Sequence, residues 1–273
     1  MKRREFLQKG LALGATLLPG VGLNASEWLP LSSMVADGAP KKQIWQAACD
    51  GHWSIVKQLL EGDPTLITVT NTIVFDEVDD DYNLFDSTLL HIAAAFSPQV
   101  KVIKMLASLG ADVNARDAHY HAPLHMAAMF NSNVDISKCL VSLGAYPHVA
   151  SARYSSMATP AACWNNVEVL QYLLSKSVED SLDRLLDHAA ENNPNVDVFQ
   201  YLVSLGASVH TKDVFGDTPL HLVANRGGYE NDIEIIKYLL SAGADVHAKN
   251  NKGKTPLDIA SSEAKKRVLL EWM

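Results

Sequence analysis

The chain has 273 residues, of which 48% are hydrophobic and 20% are charged, and its formal net charge at pH 7 is -8. This composition is typical of a globular protein with enough apolar residues to bury a sizeable core. The acidic balance argues against a nucleic-acid groove or an anionic membrane surface as the partner, because both require clustered lysine and arginine.

The first 25 residues have the layout of a secretory signal peptide. A basic start precedes a short apolar run at residues 10–18, which is too short to span a membrane. The residues that resemble the bacterial twin-arginine export motif are Arg3, Arg4, Phe6 and Leu7. We therefore expect export to the periplasm or secretion, with cleavage after Ala25. A Sec signal that happens to contain two arginines and an ordinary amphipathic helix are the alternatives.

Residues 26–40 are predicted to be a linker, and residues 41–273 form one repeat domain. The repeated unit has a small-residue helix, a helix rich in valine and isoleucine, and a closing glycine followed by alanine. The glycines of four copies are Gly110, Gly144, Gly206 and Gly243. A period of about 33 residues indicates a stacked helical array, in which each unit buries its apolar face against its neighbours.

The clearest unit shows how the local sequence encodes the helices. Thr218 is a good N-cap, because its hydroxyl can accept a hydrogen bond from a free backbone N–H of the first turn. Pro219 suits the next position, where its missing N–H would have no helical partner. Residues 233–240 predict a second helix, with apolar residues on one face. Gly243 then ends that helix, because glycine adopts the left-handed conformation without steric cost.

The run Thr218-Pro219-Leu220-His221, followed by a helix pair and by Gly243-Ala244-Asp245-Val246-His247, resembles the ankyrin repeat. Comparable units begin at Thr88, Ala122 and Thr255, and more degenerate ones lie at residues 44–60, 155–174 and 185–202. The resemblance implies an all-α solenoid of helix-turn-helix units joined by short β-hairpin loops, with about seven repeats including the caps.

Two features depart from the repeat pattern. Residues 63–86 are a long insertion, in which Leu66–Thr70 and Ile73–Phe75 read as strands. The acidic run Asp76–Asp81 could hold calcium, but it lacks the ligand pattern and turn glycine of an EF loop, so we expect a solvated loop. Pro160 lies inside a predicted helix, which should end or bend there.

The three cysteines form no CxxC pair. Cys49, Cys139 and Cys163 each fall in a predicted helix, so we expect buried free thiols. A single disulfide in an oxidising periplasm remains the alternative.

The sequence contains no phosphate-binding glycine loop, HExxH motif or nucleophile elbow. The strongest metal candidate is the cluster His119, His121 and His125, because zinc and copper favour imidazole ligands. The ankyrin resemblance instead implies that His125, like His91 and His221, braces neighbouring loops. We therefore predict no metal and no cofactor. Metal or small-ligand binding by this cluster is the alternative, and an enzyme in the drifted repeats at residues 151–190 is a further one.

In ankyrin arrays, certain inner-helix positions line the concave face, and the resemblance assigns such positions here. The predicted partner-binding residues are Ile92, Phe96, Met126, Met129, Phe130 and Trp164 on inner helices, and Tyr120, Tyr154 and Phe215 at hairpin tips. An exposed apolar strip with aromatic anchors marks an interaction site. The alternative is that packing of the inner helices or the loop 63–86 covers these side chains.

Together these features predict a non-enzymatic protein-protein interaction module or scaffold in the bacterial periplasm. We expect a monomer that binds an unidentified periplasmic protein, with no nucleic acid as partner and no membrane span in the mature chain.

Overall fold

The computed structural model describes residues 39–73, 84–148, 150–151, 156–176, 180–227 and 231–273. The export motif, the acidic run 76–81 and Tyr154 lie outside the described residues. The chain divides into two compact units, Met1–Ser155 and Ser156–Met273, called here the first and the second unit.

The described part of the first unit contains three helix pairs: α1 (Ala39–Cys49) and α2 (Trp53–Gly62), α3 (Leu89–Phe96) and α4 (Val100–Ser108), and α5 (Pro123–Phe130) and α6 (Val134–Ser142). Helix α1 begins two residues before the predicted start of the domain. The inner helix α3 packs against α1 and α5, and the outer helix α4 packs against α6. Ala93, Ala94 and Ala95 of α3 are at most 1% exposed, and their small side chains allow the neighbouring inner helices to pack closely.

The described part of the second unit contains four further pairs: α7 (Ala158–Trp164) and α8 (Val167–Leu174), α9 (Leu182–Asn192) and α10 (Val196–Ser204), α11 (Pro219–Asn225) and α12 (Asp232–Ser241), and α13 (Pro256–Ile259) and α14 (Glu263–Leu270). Within this unit, α9 packs against both α7 and α11, and α10 packs against both α8 and α12. Seven helix-turn-helix pairs in the described ranges confirm the predicted all-α architecture.

The insertion in the first unit differs from its prediction. Residues Pro64–Thr68 form a 3-10 helix instead of the predicted strand, because the side chain of Asp63 accepts a hydrogen bond from Thr65 N–H at 3.0 Å and Pro64 fixes the first position. Strands β1 (Thr70–Ile73) and β2 (Leu84–Thr88) then pair antiparallel, with Thr70 opposite Thr88.

Pro160 does not end the helix in which it lies. Helix α7 begins at Ala158, so Pro160 is its third residue. The N–H groups of a first helical turn have no intrahelical partner, and a proline there removes no hydrogen bond. The predicted bend is therefore wrong.

The caps of the clearest unit follow the sequence. Thr218 caps α11, and Pro219 occupies the first helical position. Gly243 follows α12 with φ of +95°, while Ala244 N–H donates to Leu239 O at 2.9 Å and Gly243 N–H donates to Leu240 O at 3.0 Å. These two bonds are the Schellman motif, which satisfies carbonyls left over at the helix end.

Buried histidines connect successive repeats. The Nδ1 atom of His221 lies 2.8 Å from the hydroxyl of Thr218, and its Nε2 atom lies 3.0 Å from Lys254 O. His91 makes the corresponding contacts with Thr88 at 2.8 Å and with His121 O at 3.0 Å. The bracing role that the resemblance implied for these two histidines is therefore confirmed.

His125 occupies the equivalent position in the next repeat. Its Nδ1 accepts a hydrogen bond from Ala122 N–H at 3.0 Å. Burial, followed by the neighbouring imidazole of His121, lowers the pKa of His125 from 6.5 to about 3. The folded protein therefore keeps this ring neutral at pH values at which the unfolded chain protonates it.

We predict that replacing glycine by alanine has unequal effects at two left-handed positions. A Cβ at Gly243 meets nothing within 4 Å, so Gly243→Ala should lower the free energy of unfolding by the backbone strain alone, about 1–2 kcal/mol. At Gly216 (φ +76°) a Cβ would lie 2.8 Å from Asn251 N, so Gly216→Ala should cost about 1–3 kcal/mol more. Urea unfolding of both variants measures the difference, and equal losses would contradict the close approach at Gly216.

We also predict that stability falls with acidity through His125. The unfolded state binds more protons than the folded state from about pH 6.5 down to about pH 3, so stability is lost as pH falls through this window. Between about pH 7 and about pH 5 the loss from this residue should be about 2 kcal/mol. Urea titrations should show a shallower pH slope for His125→Gln than for the native chain, with His247→Gln at an exposed loop as the control. Identical slopes for all three proteins would refute the prediction.

Candidate functional site

Three residues of the predicted inner-helix strip are buried. Ile92 and Met126 are 1% exposed and Met129 is 4% exposed. Helices α3 and α5 lie side by side, and their contact leaves no room for a partner at these side chains. The prediction that these three residues contact a partner is therefore wrong, and the alternative of coverage by inner-helix packing applies.

Two aromatic residues of the same strip remain half-buried at the ends of their helices. Phe96 is the last residue of α3, and Phe130 is the last residue of α5. Their rings stack with centroids 5.9 Å apart and planes inclined by 27°. This Phe96–Phe130 pair offers a partly accessible aromatic surface on the first unit.

The first unit also exposes an aromatic residue at a loop tip. Tyr120 is 66% exposed, and its φ is +60°. The equivalent positions of two later loops hold Gly216 and Gly253, with φ of +76° and +70°. A tyrosine in this conformation costs about 1 kcal/mol relative to glycine, and its exposed ring gains little packing in return. Neither the backbone conformation nor burial of the side chain therefore explains why a tyrosine occupies this position.

The loop that carries Tyr120 is joined to the next loop of the first unit. The guanidinium of Arg116 donates to Tyr120 O and, at 3.3 Å, to Ala150 O. Asn114 donates to Gly144 O at 2.9 Å, and its side-chain oxygen accepts from Tyr146 N–H at 3.0 Å. These bonds connect the backbone that carries Tyr120 to the backbone that carries Tyr146, whose side chain is 62% exposed.

Two further predicted residues lie in the second unit. Trp164, the last residue of α7, is half-buried, and Phe215 at the tip of loop 211–217 is 65% exposed. The repeat pattern did not predict a role for Arg116, Tyr146 or Val214, of which Val214 is 85% exposed. For Tyr146 a signal existed, because it replaces the aspartate that follows Gly-Ala in the units of Gly110 and Gly243.

The histidine cluster is assembled, but its geometry does not suit a metal ion. The ring of His121 lies 5.8 Å from that of His119 and 5.5 Å from that of His125. His121 Nδ1 lies 3.2 Å from a carboxylate oxygen of the buried Asp117. Because Nδ1 of His125 accepts from Ala122 N–H, the neutral ring carries its proton on Nε2 and has no free lone pair for a metal.

Within the described ranges, no group of three histidine, cysteine, aspartate or glutamate residues is placed to hold a metal ion. All three cysteines are free thiols: Cys139 and Cys163 are buried, and Cys49 is half-buried. Burial raises the pKa of the Cys49 thiol to about 12, with Asp50 adding to the effect, so this thiol stays protonated at neutral pH.

The drifted repeats contain one strongly perturbed acid. Burial raises the pKa of Asp187 to about 6, and the charges of Asp213 and Asp183 act in the same direction, against a hydrogen bond from Thr211. The Thr211 hydroxyl donates to Asp187 at 3.3 Å, and Ser208 N–H donates to Asp183 at 2.8 Å. Both carboxylates therefore bind the following loop and act as braces between repeats.

No helix among the described residues is long and apolar enough to span a membrane.

Comparison with solved structures finds the same architecture elsewhere. The human ASB11 ankyrin repeat domain is 24% identical, with 87% of this chain and 98% of that chain covered and a TM-score of 0.60. The ankyrin repeat domain of Bcl-3, described as a unique member of the IkappaB family, is 23% identical, with 86% and 99% covered and a TM-score of 0.50. These two likenesses show the fold alone.

A third solved structure is the predatory endopeptidase Bd0816 from Bdellovibrio bacteriovorus in complex with the immunity protein Bd3460. One chain of that complex is 27% identical, with 67% of this chain and 96% of that chain covered and a TM-score of 0.52. Among the curated proteins compared, none matches this chain.

The family model described as ankyrin repeats (3 copies) matches residues 44–151, 90–184, 124–213 and 186–271. These overlapping matches extend over most of the chain and include all seven helix pairs but for the first residues of α1. The chain therefore belongs to the ankyrin repeat family.

Proposed function

We propose that this chain is an exported, non-enzymatic protein that binds a folded partner protein through the first unit. Ankyrin repeats are generic modules of protein-protein interaction, and the seven repeats give this chain that general role. The proposed contact surface comprises Tyr120 and Arg116 at the joined loops and the Phe96–Phe130 pair at the ends of α3 and α5.

The observation that carries the proposal is the strained, exposed Tyr120. Backbone strain in a non-glycine residue destabilises the folded protein, and it concentrates at sites where a particular side chain is needed. Tyrosine and arginine are the residue types that dominate binding energy at protein interfaces, because both give a large contact area and a hydrogen bond. Tyr120 and Arg116 are therefore suited to anchor an interface, and the hydrogen bond from Arg116 to Tyr120 O fixes the backbone that carries them.

We further propose that the partner is an exported enzyme, of which a peptidase is the leading class. The signal-peptide layout of residues 1–25 supports delivery to the periplasm, and the likeness to a chain of the endopeptidase–immunity protein complex supports the partner class. The net charge of -8 supports a protein partner in preference to a nucleic acid. We expect a monomeric chain, one per partner, which light scattering of the complex measures.

We predict that Tyr120→Gly strengthens the fold and weakens binding. Relief of the left-handed strain should raise the free energy of unfolding by about 1 kcal/mol, while loss of an interface tyrosine should weaken partner binding at least about tenfold. A partner is first captured from periplasmic extract and identified. Calorimetric titration then measures its affinity for each variant, and urea unfolding measures the stability of each variant.

The control for this test is Leu205→Ala, which removes an apolar side chain that is 46% exposed in the second unit. It should leave partner affinity unchanged. Phe130→Ala should weaken binding as well, with some loss of stability because its ring is half-buried against Phe96. Equal affinity of Tyr120→Gly and the native chain would remove the proposed site.

A further inference from the structure

Two loops at the end of the second unit are fastened to each other. These loops, residues 211–217 and 248–254, are called here the lysine hairpins. Asn251 N–H donates to Phe215 O at 3.0 Å, and its side-chain amide donates to Val214 O at 3.2 Å. Lys212 Nζ donates to Lys249 O at 2.9 Å. The close approach of Asn251 to Gly216 leaves no space even for a Cβ, so the two tips form one platform.

The platform presents apolar side chains surrounded by cations. Val214 is 85% exposed and Phe215 is 65% exposed at the tip. The lysines of the two hairpins are all exposed: Lys212, Lys249, Lys252 and Lys254. Such a local excess of lysine stands out in a chain with a net charge of -8.

The carboxylates of this region are engaged by nearby groups. Asp213 accepts hydrogen bonds from Phe215 N–H and Asp217 N–H, both at 2.8 Å. Asp217 accepts from the side chain of Asn250 at 2.7 Å. Beside the hairpins, Asp258 accepts from Thr255 N–H at 2.8 Å. The two hairpins carry four lysines and two aspartates, a net charge of +2, and the side chains of Val214, Phe215, Lys252 and Lys254 are exposed.

We propose that the lysine hairpins are a peripheral contact site for an anionic lipid bilayer. Phe215 and Val214 enter the headgroup region, and the stems of Lys249, Lys252 and Lys254 extend along it with their ammonium groups at the lipid phosphates. The site lies in the second unit and is independent of the proposed partner surface of the first unit. It supplies weak, reversible attachment, because two apolar side chains and a few lysines are far less than a membrane anchor.

A bilayer fits the platform better than an acidic protein does. A stable protein interface buries about 800 Å² on each partner, which two apolar side chains cannot supply. Lysine is also depleted from protein interfaces, whereas each lysine near an anionic bilayer strengthens binding about fivefold. The composition of the whole chain argues against a membrane partner, but the hairpins carry the clustered lysine that such a surface requires.

The direct test places an environment-sensitive fluorophore at the tip. Val214→Cys in the full chain, labelled with a nitrobenzoxadiazole probe, is titrated with vesicles of phosphatidylcholine containing about 30% phosphatidylglycerol. We expect the emission to rise and shift to the blue with these vesicles and to stay unchanged with pure phosphatidylcholine. The response should disappear when NaCl is raised from about 50 mM to about 500 mM. The unsubstituted chain, treated with the same reagent, corrects for labelling of the half-buried Cys49.

Matched variants locate the response. Ile55→Cys, labelled in the same way at a 45% exposed position of α2, should not respond, which separates the tip from any binding by residues 1–25. In the Val214→Cys background, Phe215→Ser should weaken vesicle binding about tenfold, and Lys252→Gln with Lys254→Gln about 25-fold. All replaced side chains are exposed, so the thermal melt should stay within a degree or two.

Three results would overturn the inference. The first is an equal response to neutral and anionic vesicles. The second is an absence of change in the variants. The third is evidence for a different occupant. A lipid-free response to soluble polyglutamate would assign the platform to an acidic protein, and self-association that Phe215→Ser abolishes would assign it to a second copy of the chain. Partner capture by the first unit is unaffected by Phe215→Ser, so failure here is distinct from failure of the proposed function.

Discussion

The structure depends on hydrogen bonds, within each of the two units, by which a repeat satisfies the carbonyl end of the inner helix in the repeat before it. The last four carbonyls of a helix have no partner within it, and burying them unsatisfied costs free energy. Asn131 donates to Ala94 O at 2.9 Å and to Ser97 O at 2.8 Å, and Asn193 donates to Ala162 O at 2.8 Å and to Asn165 O at 2.9 Å. A helix pair is therefore complete only when the next pair is present.

In the last repeats, arginine and lysine side chains donate the hydrogen bonds to the inner-helix carbonyls. Arg226 donates to Ala190 O at 2.9 Å, and Lys265 donates to Val223 O at 2.8 Å. Burying both cations requires a counter-charge, and Asp232 supplies it with oxygen–nitrogen distances of 2.7 Å to each. Removal of Asp232 would leave the buried charges of Arg226 and Lys265 uncompensated, and leaving a buried charge without its partner strongly destabilises a folded protein. The polar residues of this all-α core are thus part of the joints between repeats.

The sequence predicts the periodic features of the fold because these are local. The threonine cap, the proline at the first helical position and the left-handed glycine act within a few residues, and they lie at Thr218, Pro219 and Gly243 as expected. The sequence did not predict the network of Arg226, Asp232 and Lys265, because Arg226 and Lys265 are 39 residues apart in the chain.

The candidate surface is predicted less well than the fold, for a related reason. Periodicity tells which side of a helix is apolar, but it does not tell which neighbour covers that side. Met126 and Phe130 lie one turn apart on α5, yet the contact with α3 buries the first fully and the second only in part. Tyr120 is predicted correctly as exposed, but its strain is visible only from the backbone angle.

Nearest-neighbour joints also explain how the loops can differ in chemistry without harm to the fold. Because each repeat is stabilised chiefly by the repeats beside it, strain of about 1 kcal/mol at Tyr120 stays local and is small beside the buried contacts of α3 and α5. The most exposed side chains at the loop tips lie outside those joints, so one tip can carry a tyrosine and another a phenylalanine. The helices are held to small and apolar residues by packing, and the freedom to acquire a partner lies at the tips and helix ends.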